Sequence, residues 1–182
     1  MSLMNPISRK FLNLSIRYIL LILLSIGSLW IFYFIFTPLT VYPLYFLFNY
    51  FFGATLNGTI INVRGIPIEM IEACIAGSAY YLLLIFNLST PEIKINQRLK
   101  MIISAFIIFL VVNILRIFSL TIIYLTGSSL FDIAHKLFWY IGSIVLVIAI
   151  WFYQVKKYAV KEIPFYSDIK FLYKHSILIK RK

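Results

Sequence analysis

The chain has 182 residues, 62% of them hydrophobic and 13% charged, with a mean hydropathy of +0.95. A soluble domain is about 45–50% apolar and about 25% charged, so these proportions exclude an ordinary soluble domain and a disordered chain. Seventeen Lys and Arg against six Asp and Glu leave +11, which in so apolar a chain marks cytoplasmic loops rather than nucleic-acid binding; the single Cys, Cys74, excludes an intrachain disulfide.

Arg9, Lys10 and Arg17 precede an apolar run of 19 residues, 18–36. A helix rising about 1.5 Å per residue crosses a hydrocarbon core of about 30 Å with about 20 residues, so this run reads as a spanning helix. It is longer than a signal-peptide core and no small-residue cleavage site follows, which reads as a retained signal anchor. Thr37-Pro38 is expected to break it. The next run, 39–52, has 14 residues with Pro43 near its start and reads as an interfacial or re-entrant helix. Asn57-Gly58 and Arg64-Gly65 are turn signals around a short strand, 59–63, with which 66–70 can pair as a small external hairpin.

Residues 73–88 are uncharged and follow Glu69 and Glu72. A polar loop with Pro91 leads to residues 101–131, which hold a single charge, Arg116, and close on Gly127-Ser128-Ser129. Residues 137–155 form another uncharged run. The tail is basic, and its Phe165, Ile169, Leu172 and Tyr173 suit a stripe lying on a membrane surface.

The expected architecture is an all-α polytopic membrane protein forming a single integral membrane domain. Its core, 18–155, is flanked by basic cytoplasmic tails, 1–17 and 156–182. It has four transmembrane helices, or five if 39–52 crosses. With four spans and the N-terminus inside, fourteen of the seventeen basic residues fall on the cytoplasmic side. Arg64 and Lys136 fall outside, and Arg116 lies within the bilayer. Either count leaves the start of the Cys74 helix and the 127–135 loop on the outer face.

Three residues stand out from a plain anchor. Cys74 lies near a helix N-terminus, where the helix dipole favours a thiolate; the plainer reading is a small buried hydrophobe. Gly77 and Ser78 follow and allow a close helix approach. Arg116, isolated in an apolar helix, is a functional candidate by default. Asn113 and Ser119 share its expected face, and the plainer reading is a hydrogen-bond staple to a neighbouring helix. His135 lies at the outer start of the last span, with a side chain suited to proton transfer. A thiolate, a proton carrier and a cation for a developing oxyanion are the parts of a cysteine acyl-transfer site. One Cys and one well-placed His are too few ligands for a metal, and no cofactor motif is present.

The pieces Ile71-Glu72-Ala73-Cys74 with Gly77, Asn113-Ile114-Leu115-Arg116-Ile117, and His135, in that order and spacing, resemble the exosortase/archaeosortase family of membrane transpeptidases. The resemblance covers roughly residues 65–152; directly after the Cys, where the family usually has a small hydroxylated residue, this chain has Ile75. It implies a multi-pass protein of a prokaryotic plasma membrane with its active site outside. It implies Cys74 as nucleophile, Arg116 as thiolate or oxyanion stabiliser, His135 as proton carrier, and Asn113 positioning Arg116. The implied substrates are exported proteins with a C-terminal sorting signal made of a short motif, a hydrophobic helix and a basic cluster. They would be cleaved at the outer face and transferred to a lipid or another acceptor. Two further readings stay open: a substrate-binding subunit of a transporter, with Arg116 holding an anionic ligand, and a structural subunit whose Arg116 meets a partner's carboxylate.

Overall fold

The computed structural model describes residues 5–175, the side chains of Pro6, Trp139 and Tyr140 excepted. Of the basic tail, Lys180, Arg181 and Lys182 lie outside the described residues. The chain is mostly helical, with one small sheet.

The first two helices depart from expectation. Helix α1, Pro6–Ser25, starts on Asn5, whose side chain accepts from the Ile7 N–H at 3.2 Å. It ends well before Thr37-Pro38. Gly27, Ser28 and Leu29 take φ of 76°, 54° and 62°, and α2 then runs from Trp30 to Phe52. The break follows glycine's freedom in left-handed backbone, not the prolines. Pro38 and Pro43 sit inside α2, where close packing on neighbouring helices sustains the helix despite two missing N–H groups. Residues 18–36 are therefore not one helix. Residues 39–52 are the end of a 23-residue helix, not a separate interfacial or re-entrant one.

Aromatic contacts fix the directions. Phe36 meets Phe106 at 5.4 Å between ring centroids, and Phe48 meets Phe118 at 5.1 Å, so α2 runs parallel to α5, Ile95–Leu125. Tyr81 of α4, Gly77–Leu88, meets both ends of the elbow: its hydroxyl donates to the Leu21 carbonyl at 2.9 Å, and its ring lies 5.9 Å from Phe32. The elbow thus shifts the chain sideways, and α2 resumes at the depth where α1 stops.

After Gly53 come three short strands: β1 Thr55–Asn57, β2 Ile60–Val63 and β3 Ile66–Glu69, antiparallel in the order β1-β2-β3. The expected hairpin is present, and β1 extends it to three strands. Arg64 and Gly65, with φ of 53° and 81°, make the two-residue turn that matches strand twist. Helix α3, Glu72–Ile75, is one turn long and stops at Ala76.

Helix α5 is followed by α6 Leu130–Leu137, a π-helical segment Phe138–Gly142 and α7 Ser143–Lys157, without interruption. The last long helix therefore begins at Leu130 rather than near 137. Helix α7 packs antiparallel to α5, with the Gln154 amide donating to the Met101 carbonyl and, at 3.2 Å, to Ser104 Oγ. Leu44, Phe48, Tyr80, Leu83, Phe109 and Val147 are fully buried between these helices. The outward faces expose Phe34, Phe46, Ile103, Ile107 and Val111, a spread of large apolar side chains that water disfavours. Among the described residues, α2 and α5 are long and apolar enough to cross a membrane.

The end of the bundle farthest from the sheet is held by buried charge. Arg17 donates to Asp168 at 2.7 Å and to the Leu88 carbonyl at 2.7 Å, and the Tyr18 hydroxyl meets Asp168 at 3.1 Å. Arg98 donates to the carbonyls of Asn87 and, at 2.9 Å, Thr90. These guanidinium groups satisfy carbonyls that the C-terminus of α4 leaves open. Asp168 belongs to α8, Tyr166–Lys174, whose Ile169 and Tyr173 face outward.

Candidate active site

At the opposite end of α4, a cavity of about 1000 Å³ opens between the sheet, α3, α5 and α6. Cys74, Arg116 and His135 all line it. The three residues, expected to converge, come to the wall of one cavity from three separate helices.

Each is held differently. The Cys74 N–H donates to the Ile71 carbonyl at 2.9 Å, closing the single turn of α3. Asn113, 1% exposed, donates from Nδ2 to the Cys74 carbonyl at 2.9 Å. This corrects its expected role: Asn113 fixes the backbone under the sulfur and does not hold Arg116. The Arg116 Nη1 instead donates to Ser143 Oγ at 2.8 Å, while its Nε is buried with no partner among the described residues. Ser119 is exposed and does not share the inward face of Asn113 and Arg116. His135 stacks on Phe131 with ring centroids 5.3 Å apart and planes 8° from parallel, which fixes the imidazole plane at the wall.

The dipole expected behind Cys74 is much reduced. Four residues of α3 align few peptides, and Ala76 at φ 59° turns the chain before α4 begins. Arg116 lies near enough for its guanidinium and a thiolate at Cys74 to attract each other. Ala76 holds a left-handed conformation that costs an L-residue about 1–2 kcal/mol, a strain located two residues past the sulfur. Gly77 matters as anticipated. A Cβ there would come within 2.8 Å of the Tyr33 ring, and Tyr33 forms part of the cavity wall.

Ser143, Tyr33, Thr121, Glu69 and Glu72 complete the surroundings and were not singled out from the sequence as site residues. Glu69 and Glu72 carried a signal, as acidic residues just ahead of the Cys74 run in a basic chain. Ser143 carried none, because its pairing with Arg116 spans 27 residues.

Chemically, the cavity joins a thiol, an imidazole and a guanidinium with an unused buried N–H. That set can form a thiolate, move its proton and hold an anion. Compared with known proteins, the chain matches no family model, no curated protein and no solved structure.

Proposed function

We propose that the protein is a membrane-embedded cysteine transpeptidase or peptidase of the exosortase/archaeosortase kind, acting on exported proteins at the outer face of a prokaryotic plasma membrane. The observation that carries this reading is that Cys74, Arg116 and His135 line one cavity. His135 takes the thiol proton, and the sulfur attacks the scissile carbonyl carbon. Arg116 holds the negative oxygen of the tetrahedral intermediate. Collapse of the intermediate breaks the C–N bond, and His135 returns the proton to the departing amine, leaving a thioester on Cys74. An amine or hydroxyl acceptor, or water, then attacks the thioester, giving its proton to His135 and restoring the thiol.

In this reading α2, α3–α4, α5 and α6–α7 are the four crossings. Helix α1 and the elbow enter from the cytoplasm. Arg17 of α1 bonds Leu88 and Asp168 at the end away from the sheet, which supports an odd number of crossings before the sheet. Arg17, Arg98, Lys156 and Lys157 gather at the end away from the cavity, in keeping with a cytoplasmic position for that end. An Asn57→Cys, Cys74→Ser variant is expected to react with an impermeant maleimide in intact cells; protection until the cells are broken reverses the orientation.

The reaction itself is tested with Cys74→Ala. Processing of a reporter carrying a candidate sorting signal should stop, and processing at the normal rate removes Cys74 as nucleophile. The partnerless Nε of Arg116 also favours a second reading, a transporter subunit that binds an anionic solute in the same cavity. There Cys74→Ser leaves uptake intact while Arg116→Gln abolishes it.

A further inference from the structure

Strand β3 is an edge strand, pairing only with β2 among the described residues. Its register shows which backbone groups are free. Val63 and Ile66 flank the two-residue turn, so they form a hydrogen-bonded pair, and the pairs then alternate along the ladder. Ile66, Ile68 and Met70 turn their backbone toward β2, and the Met70 N–H accordingly donates to the Thr59 carbonyl at 3.0 Å. Pro67, Glu69 and Ile71 turn theirs the other way. The free edge therefore presents the Pro67 carbonyl, both backbone groups of Glu69 and the Ile71 N–H, none bonded among the described residues. Pro67 falls where no donor is needed for the ladder, as edge prolines do.

The position of this edge gives it meaning. Every residue from Pro67 to Cys74 lines the cavity, so the strand leads through the single turn of α3 to the sulfur along one wall. Glu69 and Glu72 line the same wall and are exposed. Two other carboxylates, Glu92 and Asp168, are taken by Lys10 and Arg17, whereas neither Glu69 nor Glu72 forms an ion pair among the described residues.

We propose that the free edge of β3 receives an extended stretch of the polypeptide substrate as a fourth strand, with a Lys or Arg of that stretch beside Glu69 and Glu72. This deepens the transpeptidase reading and rests on it for the identity of the occupant. Backbone pairing aligns the peptide alongside Pro67–Ile71 whatever its side chains, and delivers the next carbonyl toward Cys74. The two carboxylates add the sequence preference.

The test uses the full-length Cys74→Ala protein in nanodiscs, so that binding is read without turnover. The probes are blocked nonapeptides selected on it from a randomised library, followed by fluorescence anisotropy. The selected peptides should carry Lys or Arg at a fixed position. N-methylation at successive peptide amides should weaken binding at every second position, the signature of an added strand. Glu69→Pro removes an outward N–H and no ladder bond, and should weaken binding about tenfold or more. Glu69→Gln should weaken it several-fold for the Lys or Arg peptide and leave its Gln counterpart unchanged.

An N-methyl scan without alternation, undiminished binding to Glu69→Pro, or a library that yields no binder overturns the proposal. So does self-association that Glu69→Pro abolishes, because the edge then belongs to a second copy of the chain. The scan needs no variant at β3 and stands if Glu69→Pro does not fold. Normal processing by Cys74→Ala defeats the transpeptidase reading alone, and peptide pairing at β3 is still decided by the scan.

Discussion

Replacing Asp168 by Asn tests the reasoning about the buried charged end. Asp168 and Arg17 have side chains only 5% and 7% exposed, and they meet at 2.7 Å. The amide keeps the shape and one acceptor but removes the charge that balances a buried guanidinium. Arg17 Nε already has no partner among the described residues, and only the Leu88 carbonyl remains as a second acceptor. Breaking one side of such a pair costs about 3–5 kcal/mol, much of it the desolvation of the stranded charge. For a chain of this size, that corresponds to a melting temperature lower by about 6–20 °C. Thermal unfolding in detergent, followed by near-ultraviolet circular dichroism, reads the change. The double variant Arg17→Met, Asp168→Leu should recover most of the loss, since a matched apolar pair removes both desolvation terms. Reactivity of Cys74 per folded molecule should be unchanged in both, because the sulfur lies at the other end of α4. A single variant that melts with the wild type, or a double variant no better than the single, refutes the reasoning.

Three further outcomes are expected. Ser143→Ala removes the hydroxyl that holds Arg116, so Cys74 should react more slowly with a small alkylating reagent while Ser143→Thr keeps most of the rate; equal rates would separate the serine from the thiol. Ala76→Gly relieves a left-handed alanine and should raise stability by up to about 1 kcal/mol, whereas Ala76→Val should lower it, both measured by thermal unfolding. Glu92 holds the Lys10 ammonium by a hydrogen bond and raises its pKa above the usual value of 10.5. That contribution is complete below the unfolded pKa and is lost only as pH rises through the higher folded one. Glu92→Gln should therefore cost no more than about 1 kcal/mol for so exposed a pair, evenly across neutral pH; a penalty that varies there would refute it.

Much of the site was legible in the sequence because its members are rare: one Cys, one Arg inside a long apolar run, one His beside the last run. Rarity in a hydrophobic chain is a strong signal, since each polar group must be compensated. The hairpin was legible through its turn residues, which demand left-handed backbone. What could not be read were pairings across distance. Asn113 and Arg116 share a helix face, but their partners, the Cys74 carbonyl and Ser143, are fixed only when three helices pack. The first helices differ from expectation for a local reason: Pro38 and Pro43 have the character of helix breakers, but packing on α4 and α5 carries α2 through both, and the break falls at Gly27 instead.

The π-helical segment sets the phase of the last helix. His135 and Ser143 are eight residues apart, and in an unbroken α-helix that spacing places them about 80° around the axis from each other. One π turn absorbs an extra residue, and the pair then behaves as if seven apart, within about 20°. Imidazole and hydroxyl can thereby both look toward α5, as their shared place at the cavity requires. Deleting one residue from Phe138–Gly142 should restore α-helical winding and keep the two in phase, now seven residues apart, whereas deleting a second should swing His135 by about 100° relative to Ser143 and part the imidazole from the hydroxyl that holds Arg116.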